Sequence, residues 1–415
     1  MAKILILIGA HLCTAPRPQK EAAALAAAGH DVTVGGIWFD PALAERDRLL
    51  MMNQPWKFSP VLDFRPQYPL QRWRIRLQAR FAREQFQQTG RVSPTLLGYG
   101  ATAMLKAALS ARADLTIVHS EAGLWVGHRL LDYGLRVGVD FEDWFSQDLL
   151  PAARATRPIA QLQRLEARLA QDCPYCLTTS NVLAERLAQV YQAPTPTVIY
   201  NVFPHIPTPP RPQNAIPTLH WFSQTIGSGR GLETLFQALP YLTTPVPIHL
   251  RGNCSSSTRQ WINAQIPTAW RDFLFIHPTV SNAELPARIA DHDIGLALEL
   301  SDPPSRNLTV TNKLFQYLQS GLAMIATDTL GQQEVFAQAP EIGCLIPSNQ
   351  PLSLAEAIEA LVRNPQRLKA AQLCALQAAQ TQFGWENQRD RLLTTVERAL
   401  TTPPYSSKLV PLCVS

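Results

Sequence analysis

A glycine-rich loop, a helix start and three charged strand ends hold the residues of this chain that could do chemistry. Gln224-Thr225-Ile226-Gly227-Ser228-Gly229-Arg230-Gly231 follows one apolar run and opens a helix. Its glycines allow close backbone approach, a helix start offers unpaired N–H groups, and Arg230 adds a fixed positive charge, a combination suited to a diphosphate. Further on, the apolar run Ile294–Leu298 ends in a carboxylate, Glu299, and Thr311 or Asn312 can cap a helix that starts with Lys313 and turns Leu314, Phe315 and Leu318 inward. A carboxylate, an amide and a helix start thus converge at one sheet edge, where open parallel sheets bind ligands. In the first half, Gly9-Ala10-His11 (with Arg17 and Lys20 beyond), His119-Ser120-Glu121 and Asp140-Phe141-Glu142-Asp143 end three strands in charge. A histidine or carboxylate at such an end can serve as a general base, and it can equally be a cap satisfied by backbone N–H groups.

The elements that must hold these groups alternate between strand and helix. Strands are expected at Lys3–Gly9, Val32–Gly35, Leu115–His119, Arg136–Asp140, Tyr175–Ser180 and Thr197–Tyr200, with helices at Gln19–Ala28, Ile159–Gln171 and around Val182–Val190. From Pro204 to Pro217, PHIPTPPRPQNAIP is too rich in proline for a helix or a sheet interior and reads as a stiff connector. Alternation restarts with Thr218–Ser223, Leu232–Leu239, Ile248–Arg251, Phe273–His277, Leu285–Asp291 and Ile294–Leu298. The polar stretch Ser301–Thr311 reads as a loop, Leu322–Thr327 as a buried strand, and Trp385–Leu400 as a terminal amphipathic helix. The expected organisation is α/β, two Rossmann-like doubly wound domains at 1–203 and 218–384 facing each other across a cleft, with a linker at 204–217, a terminal helix at 385–400 returning to the first domain, and a tail at 401–415.

At 415 residues the chain exceeds one ordinary core and has room for two domains of roughly 150–200 residues. A net charge of +5 suggests anionic small ligands or a membrane surface before nucleic acid. Seven irregularly spaced cysteines fit a reducing cytoplasm better than a disulfide framework. MAKILILIGA reads as a strand and not a secretory leader, and no run approaches the roughly 18 apolar residues of a membrane span.

A dinucleotide-binding dehydrogenase competes for the glycine loop, but the next strand ends in Arg251-Gly252-Asn253 where a ribose-binding acid belongs, and the glycines do not follow GxGxxG. GRGLE after a strand, together with NKLFQYLQSGLAMIATD, instead resembles the nucleotide-sugar half of GT-B glycosyltransferases, above all the large retaining group with a two-glutamate donor motif. GHDVTV near the start, Asn201 and the helix opening Phe383-Gly384-Trp385-Glu386 are similar to the same family. The resemblance implies hexosyl transfer from a nucleotide-diphosphate sugar, used as co-substrate without further cofactor or obligatory metal, to a glycan or lipid-linked acceptor, as in polysaccharide biosynthesis. By position it places Arg230 and the Gly227, Gly229 and Gly231 backbone at the diphosphate and Gln316 at the ribose, and a base or acceptor-orienting group in the first half. Gln316 and Leu308 stand where the family carries its two glutamates, and Gln224 where many members have arginine. Lys313 and the polar loop Asn307–Thr311 can make up for that lost charge, with Thr311, Asn312 and Lys313 expected at the donor, and Glu299 is an inference from the strand end alone. VDFEDWFSQDLL looks like the family's acidic strand-end loop, favouring Glu142 and Asp143 as catalytic residues, with His119 as the alternative. Two other readings stay open, a sugar-nucleotide epimerase of the same fold and a non-catalytic sugar-nucleotide or glycan-binding protein.

Between Arg65 and Arg91 seven arginines and one acid, Glu84, alternate with Tyr68, Trp73, Phe81 and Phe86. A basic amphipathic helix of this kind fits peripheral contact at the inner face of a membrane, recognition of a lipid-diphosphate acceptor, or a solvated face. Asp291-His292-Asp293 looks like a DxD metal motif yet leads straight into a strand, and Cys173-Pro174-Tyr175-Cys176 lies between a helix and a strand, where structural cysteines are expected.

Overall fold

The run KILIL is buried from Ile4 onward and forms strand β1 (Lys3–Leu7). In the computed structural model, which describes residues 1–204 and 216–403, β1 lies within a seven-stranded sheet with β2 (Asp31–Trp38), β3 (Lys57–Asp63), β4 (Leu115–Val118), β5 (Val137–Phe141), β6 (Tyr175–Thr178) and β7 (Thr197–Val198). The order is β3-β2-β1-β4-β5-β6-β7 and every pair is parallel. Strands buried on both faces read as continuous apolar runs, which is why the central ones were legible. A second, six-stranded sheet runs β10-β9-β8-β11-β12-β13, built from β8 (Leu219–Thr225), β9 (Ile248–Asn253), β10 (Leu274–His277), β11 (Ile294–Ala297), β12 (Ala323–Thr327) and β13 (Gly343–Ile346), again all parallel. Chain order therefore reverses between β1 and β4 in the first sheet and between β8 and β11 in the second. In open α/β sheets, the crevice outside the strand ends at that reversal is the ligand site.

The chain forms two compact units, one of Met1–Thr179, Leu183–Ile199 and residues 389–403, the other of Ser180–Val182 and Tyr200–Gln388. Most of the proline-rich connector and of the tail, residues 205–215 and 404–415, lies outside the described residues. The helix Trp385–Thr401 contributes its later part to the first unit, where Arg136 donates to the Thr402 carbonyl at 3.0 Å.

Of the four outer strands, β7 and β10 were expected, and sequence reasoning missed the other two, β3 and β13. They are half-buried edge strands, and β3 carries Pro60, so neither shows the continuous apolar signature of the centre. A correction concerns Ser301–Thr311, expected as an irregular loop, which contains the short helix Pro304–Leu308. Proline at a first helical position has a preset φ and no N–H to orphan.

One face of the second sheet gathers four histidines. His220 of β8 pairs in register with His249 of β9. His220 stacks on His292 at 4.4 Å, His249 meets His292 at 4.5 Å, and the His249 Nδ1 to His277 Nε2 distance is 2.9 Å. His220 is fully buried with both ring nitrogens unpartnered. Burial first, and then mutual repulsion with Arg251 nearby, holds His220 well below its ordinary 6.5 and His249 at about 4. Burial likewise takes His292 down to about 4, against the hydrogen bond to the Ile289 carbonyl. An unfolded histidine binds its proton at the ordinary value, so this stability is complete above 6.5 and is lost as pH falls through about 4. Acid titration followed by circular dichroism should show the second unit melting within that window. His220→Phe should move the transition to lower pH while changing neutral-pH stability by no more than roughly 1 kcal/mol; coincident acid midpoints for the two proteins would refute this account.

Candidate functional site

Each sheet carries its polar residues at its reversal point. In the first unit the loop after β1 and the turn after β4 are pressed together: a Cβ on Gly9 would lie 2.6 Å from the Ser120 hydroxyl oxygen. Ser120 itself takes a left-handed conformation, φ 69°, and its hydroxyl is buried without a partner. Beside it His119, the residue before the helix Ser120–Asp132, is held on both sides. Its Nδ1 lies 2.6 Å from Glu142 Oε1 and its Nε2 2.9 Å from Glu21 Oε2. Burial disfavours the imidazolium, but the hydrogen bonds to Glu142 and then Glu21 outweigh it and raise the pKa from 6.5 to about 10. This stabilising contribution is full below 6.5 and fades only as pH rises through about 10, so at neutral pH the ring is charged and has no lone pair to act as a base.

Behind this pair lies a second one. Arg17 Nε donates to Asp140 Oδ2 at 2.6 Å, Nη1 to the Ile199 carbonyl at 2.6 Å and Nη2 to the Thr178 carbonyl at 3.3 Å. Glu21 accepts from the Tyr175 hydroxyl as well as from His119. Asp140 Oδ1 is buried and unpartnered, and burial raises this carboxyl above its ordinary value against the pull of Arg17. Glu142 differs from these buried groups in that a third of its side chain, 33%, is accessible. Burial raises its pKa and the bond to His119 lowers it further, so the carboxylate stays charged. Asp143 is half-buried beside it. Glu21, His119 and Asp140 bring ligand atoms within 4.8 Å of one another, the one such group among the described residues. A cation there would have to displace the Arg17 guanidinium and the imidazolium proton, so the donor set fits an ion-pair network and not a metal cradle.

The first expected strand end resolves differently. His11 is fully buried, its Nε2 accepts from the Phe39 and Asp40 backbone N–H groups at 3.0 and 3.1 Å, and its Nδ1 lies 3.1 Å from Asp47. That is a satisfied structural histidine. Glu121, at the second end, forms an ion pair with Arg157.

In the second unit, the glycine loop between β8 and the helix Leu232–Ala238 is fixed by close approach. Gly231 has φ 80°, and a Cβ there would lie 2.1 Å from the Leu298 carbonyl oxygen at the end of β11. Gly229 has φ 71°; its N–H donates to Glu233 Oε1 at 2.7 Å and its carbonyl accepts from Arg306 Nη1 at 3.1 Å. Arg230 is exposed, with Nη1 3.2 Å from the Ser223 hydroxyl. Glu299 and Lys313 meet each other: Nζ lies 2.5 Å from Oε1 and 5.1 Å from the centre of the Trp221 ring. Lys313 is thus neutralised by Glu299 and by the face of an indole. Thr311 precedes the helix Asn312–Gln319 without capping it through its side chain. Its hydroxyl and Gln316 Oε1 are both buried without a partner. Buried polar atoms are nearly always hydrogen-bonded, so these two orphans, one before the helix and one in its second turn, each leave a place for an outside donor. Leu308 is buried in the short helix, offering only its carbonyl, to Ser180 Oγ at 2.5 Å.

Residues 230–394 match the family model described as glycosyl transferase-like. No curated protein sequence matches the chain. Among solved structures, sucrose-phosphate synthase from Thermosynechococcus elongatus superposes with a TM-score of 0.70 at 13% identity, covering 96% of this chain and 99% of that one. The Anabaena protein HepE, solved with UDP-glucose, gives 0.67 at 14% identity over 96% and 100%. WaaG, a glycosyltransferase involved in lipopolysaccharide biosynthesis, gives 0.65 at 12% over 94% and 99%. The chain has the GT-B fold, and its residues 230–394 are similar to the glycosyl transferase-like family. In this GT-B chain the segment Asn312–Asp328 falls inside the matched region, as does the glycine loop from Arg230 onward.

The structure joins His119 to Glu142, Glu299 to Lys313, and Gly231 to the end of β11. It adds partners that sequence reasoning passed over: Glu21, Arg306 and Trp221. Arg17 and Glu21 lie four apart on the helix Pro16–Ala27, a same-face spacing that was a readable signal. Asp293 of the DxD decoy accepts from the Thr218 N–H at 3.0 Å and ties a turn to β8. Cys173 and Cys176 are buried free thiols with pKa values pushed up by burial. Gly231→Ala should cost at least about 2 kcal/mol in denaturant unfolding, through a left-handed φ and a clash with Leu298. Gly227→Ala, where an added Cβ meets nothing within 4 Å, should stay within about 0.5 kcal/mol. Equal losses for the two would show that close approach does not hold the loop.

Proposed function

We propose that this chain is a hexosyltransferase-type glycosyltransferase, metal-independent, that moves a sugar from a nucleotide-diphosphate donor to a glycan or lipid-linked acceptor bound by the first unit, working in the cytoplasm at the inner face of a membrane. The observation that carries the reading is the pair of buried, unpartnered oxygens, Thr311 Oγ1 just before the helix Asn312–Gln319 and Gln316 Oε1 within it, inside the residues matched to a glycosyl transferase-like family. Sugar and ribose hydroxyls are donors of the kind such orphans need, and a neutral amide can serve one where a carboxylate serves it more strongly. The exposed Arg230 guanidinium, on a loop with glycine-permitted close approach, supplies positive charge for the diphosphate. HepE, of the same fold, was solved with UDP-glucose, which makes UDP-sugars the first donors to try.

In the first unit, Glu142 is the group placed to receive an acceptor hydroxyl. Its carboxylate is charged, partly accessible and aligned by an imidazolium that cannot itself take a proton. A carboxylate with a lowered pKa is a weak base, so Glu142 orients the hydroxyl and offsets developing positive charge more than it removes a proton early. Glu21 orients His119, and Arg17 fixes Asp140 behind them; both are positioning residues.

A thermal-shift panel of nucleotide-sugars tests the donor half. A bound donor at about a hundred times its Kd should stabilise the fold by about 2.7 kcal/mol, and Arg230→Ala should weaken that donor roughly ten- to hundredfold. No stabilisation by any nucleotide-sugar, with stabilisation by a free glycan, would replace the transferase with a binding protein. Sugar epimerised without acceptor would replace it with an epimerase. Once an acceptor is found, Glu142→Gln should lower kcat about a hundredfold with donor affinity unchanged, and an unchanged kcat would remove Glu142 from the reaction.

A further inference from the structure

The helix Pro69–Thr89 has two apolar faces, and one of them has no partner. Ile75, Ala79 and Ala82 are buried, with Ile75 packed beside Ile37 and Phe64. At 100° per residue, Leu70, Trp73, Leu77 and Phe81 fall on the opposite side as a second stripe. Leu70 is 84% exposed, Trp73 65% and Phe81 61%. Arg72, Arg76, Arg80 and Arg83 run along one flank of this stripe and Arg74 along the other. Among the described residues, Arg80 with Glu84, at 2.8 Å, is the one ion pair on the helix. A cavity of about 390 Å³ opens between Arg72, Trp73, Arg76, Leu77 and Arg80. Arg65, counted in this segment by sequence, does not belong to the surface: it is buried, paired with Asp63 and stacked on Trp38.

We propose that this outward face docks the protein on an anionic lipid bilayer, the helix lying in the plane of the interface with its apolar stripe among the acyl chains and its arginines at the phosphates. Charge decides for lipid over a protein partner. An exposed apolar stripe flanked on both sides by cations of one sign matches a surface that is apolar beneath and uniformly anionic above. Arginine, with a planar fork of donors, suits phosphate oxygens, and the cavity beside Trp73 is lined by three of them. The proposal gives the membrane-side location in the proposed function a surface of its own, and it does not depend on glycosyl transfer.

Flotation of the full chain with vesicles tests it, comparing equal parts phosphatidylglycerol and phosphatidylcholine against phosphatidylcholine alone. Anionic vesicles should bind at least about tenfold more protein, and less as salt rises. Each arginine near the surface is worth roughly fivefold in partition, so the triple charge reversal R72E/R76E/R80E should lose more than about a hundredfold. Trp73→Ala with Phe81→Ala should also release the protein. Unchanged melting temperature and unchanged response to nucleotide-sugars would show the variants folded, separating this test from that of the donor site. Equal binding to both vesicle types, no binding to either, persistence after charge reversal, or a stripe consumed in a dimer that blocks vesicle binding would each overturn the proposal.

Discussion

The charge network on the Arg17 guanidinium is the interaction on which the first unit's polar edge depends. It reaches Asp140 near the end of β5, the Thr178 carbonyl at the end of β6 and the Ile199 carbonyl after β7. Burying charges costs several kcal/mol per ion unless each finds a partner, so every ionised group drawn into this edge must be answered by another. Glu21, one turn along the same helix, answers His119, and His119 answers Glu142. The chain of partners ends where the solvent begins, at a carboxylate one-third accessible. Charge buried behind thus fixes the geometry of the group in front.

The second unit meets the same topological demand with backbone in place of buried ions. Parallel strands turn their C-terminal ends to one edge, and the loop after β8 must cross close to the end of β11. Gly231 permits that crossing because a side chain would occupy the space of the Leu298 carbonyl. Pairing Glu299 with Lys313 over the indole of Trp221 leaves neither charge uncompensated at the helix start. Among the buried atoms left unsatisfied there are two neutral oxygens, those of Thr311 and Gln316. The proposed donor, rich in hydroxyls and phosphates, would meet these acceptors and the exposed Arg230.

Much of the fold was legible, for a physical reason. Doubly wound sheets bury their central strands on both faces, so Lys3–Leu7, Leu115–Val118 and Ala323–Thr327 appear as mostly apolar runs. Edge strands β3 and β13 lack that pattern and were not seen. Special backbone positions were legible too, since Gly231 and Gly321 both take the positive φ that glycine tolerates. His11 and His119 show the opposite case. Both are histidines just beyond a strand end, yet one serves backbone N–H groups and Asp47 while the other sits between two glutamates. Nothing local distinguishes them, because their partners lie dozens of residues away.

The sequence by itself determined the class of the protein: two alternating α/β halves, a glycine loop with an arginine before a helix, a helix start after a charged strand end, and a basic aromatic helix. These depend on periodicity, backbone permissiveness and residue chemistry, which act over a few neighbours. Tertiary structure alone decided which charges neutralise one another. Lys313 read as free for phosphate and is held by Glu299; His119 read as a base and is an imidazolium; Arg65 read as surface and is buried on Trp38. Electrostatic partnership acts through space at a few ångströms, between residues that chain order keeps far apart, so the protonation state of a site belongs to the folded chain.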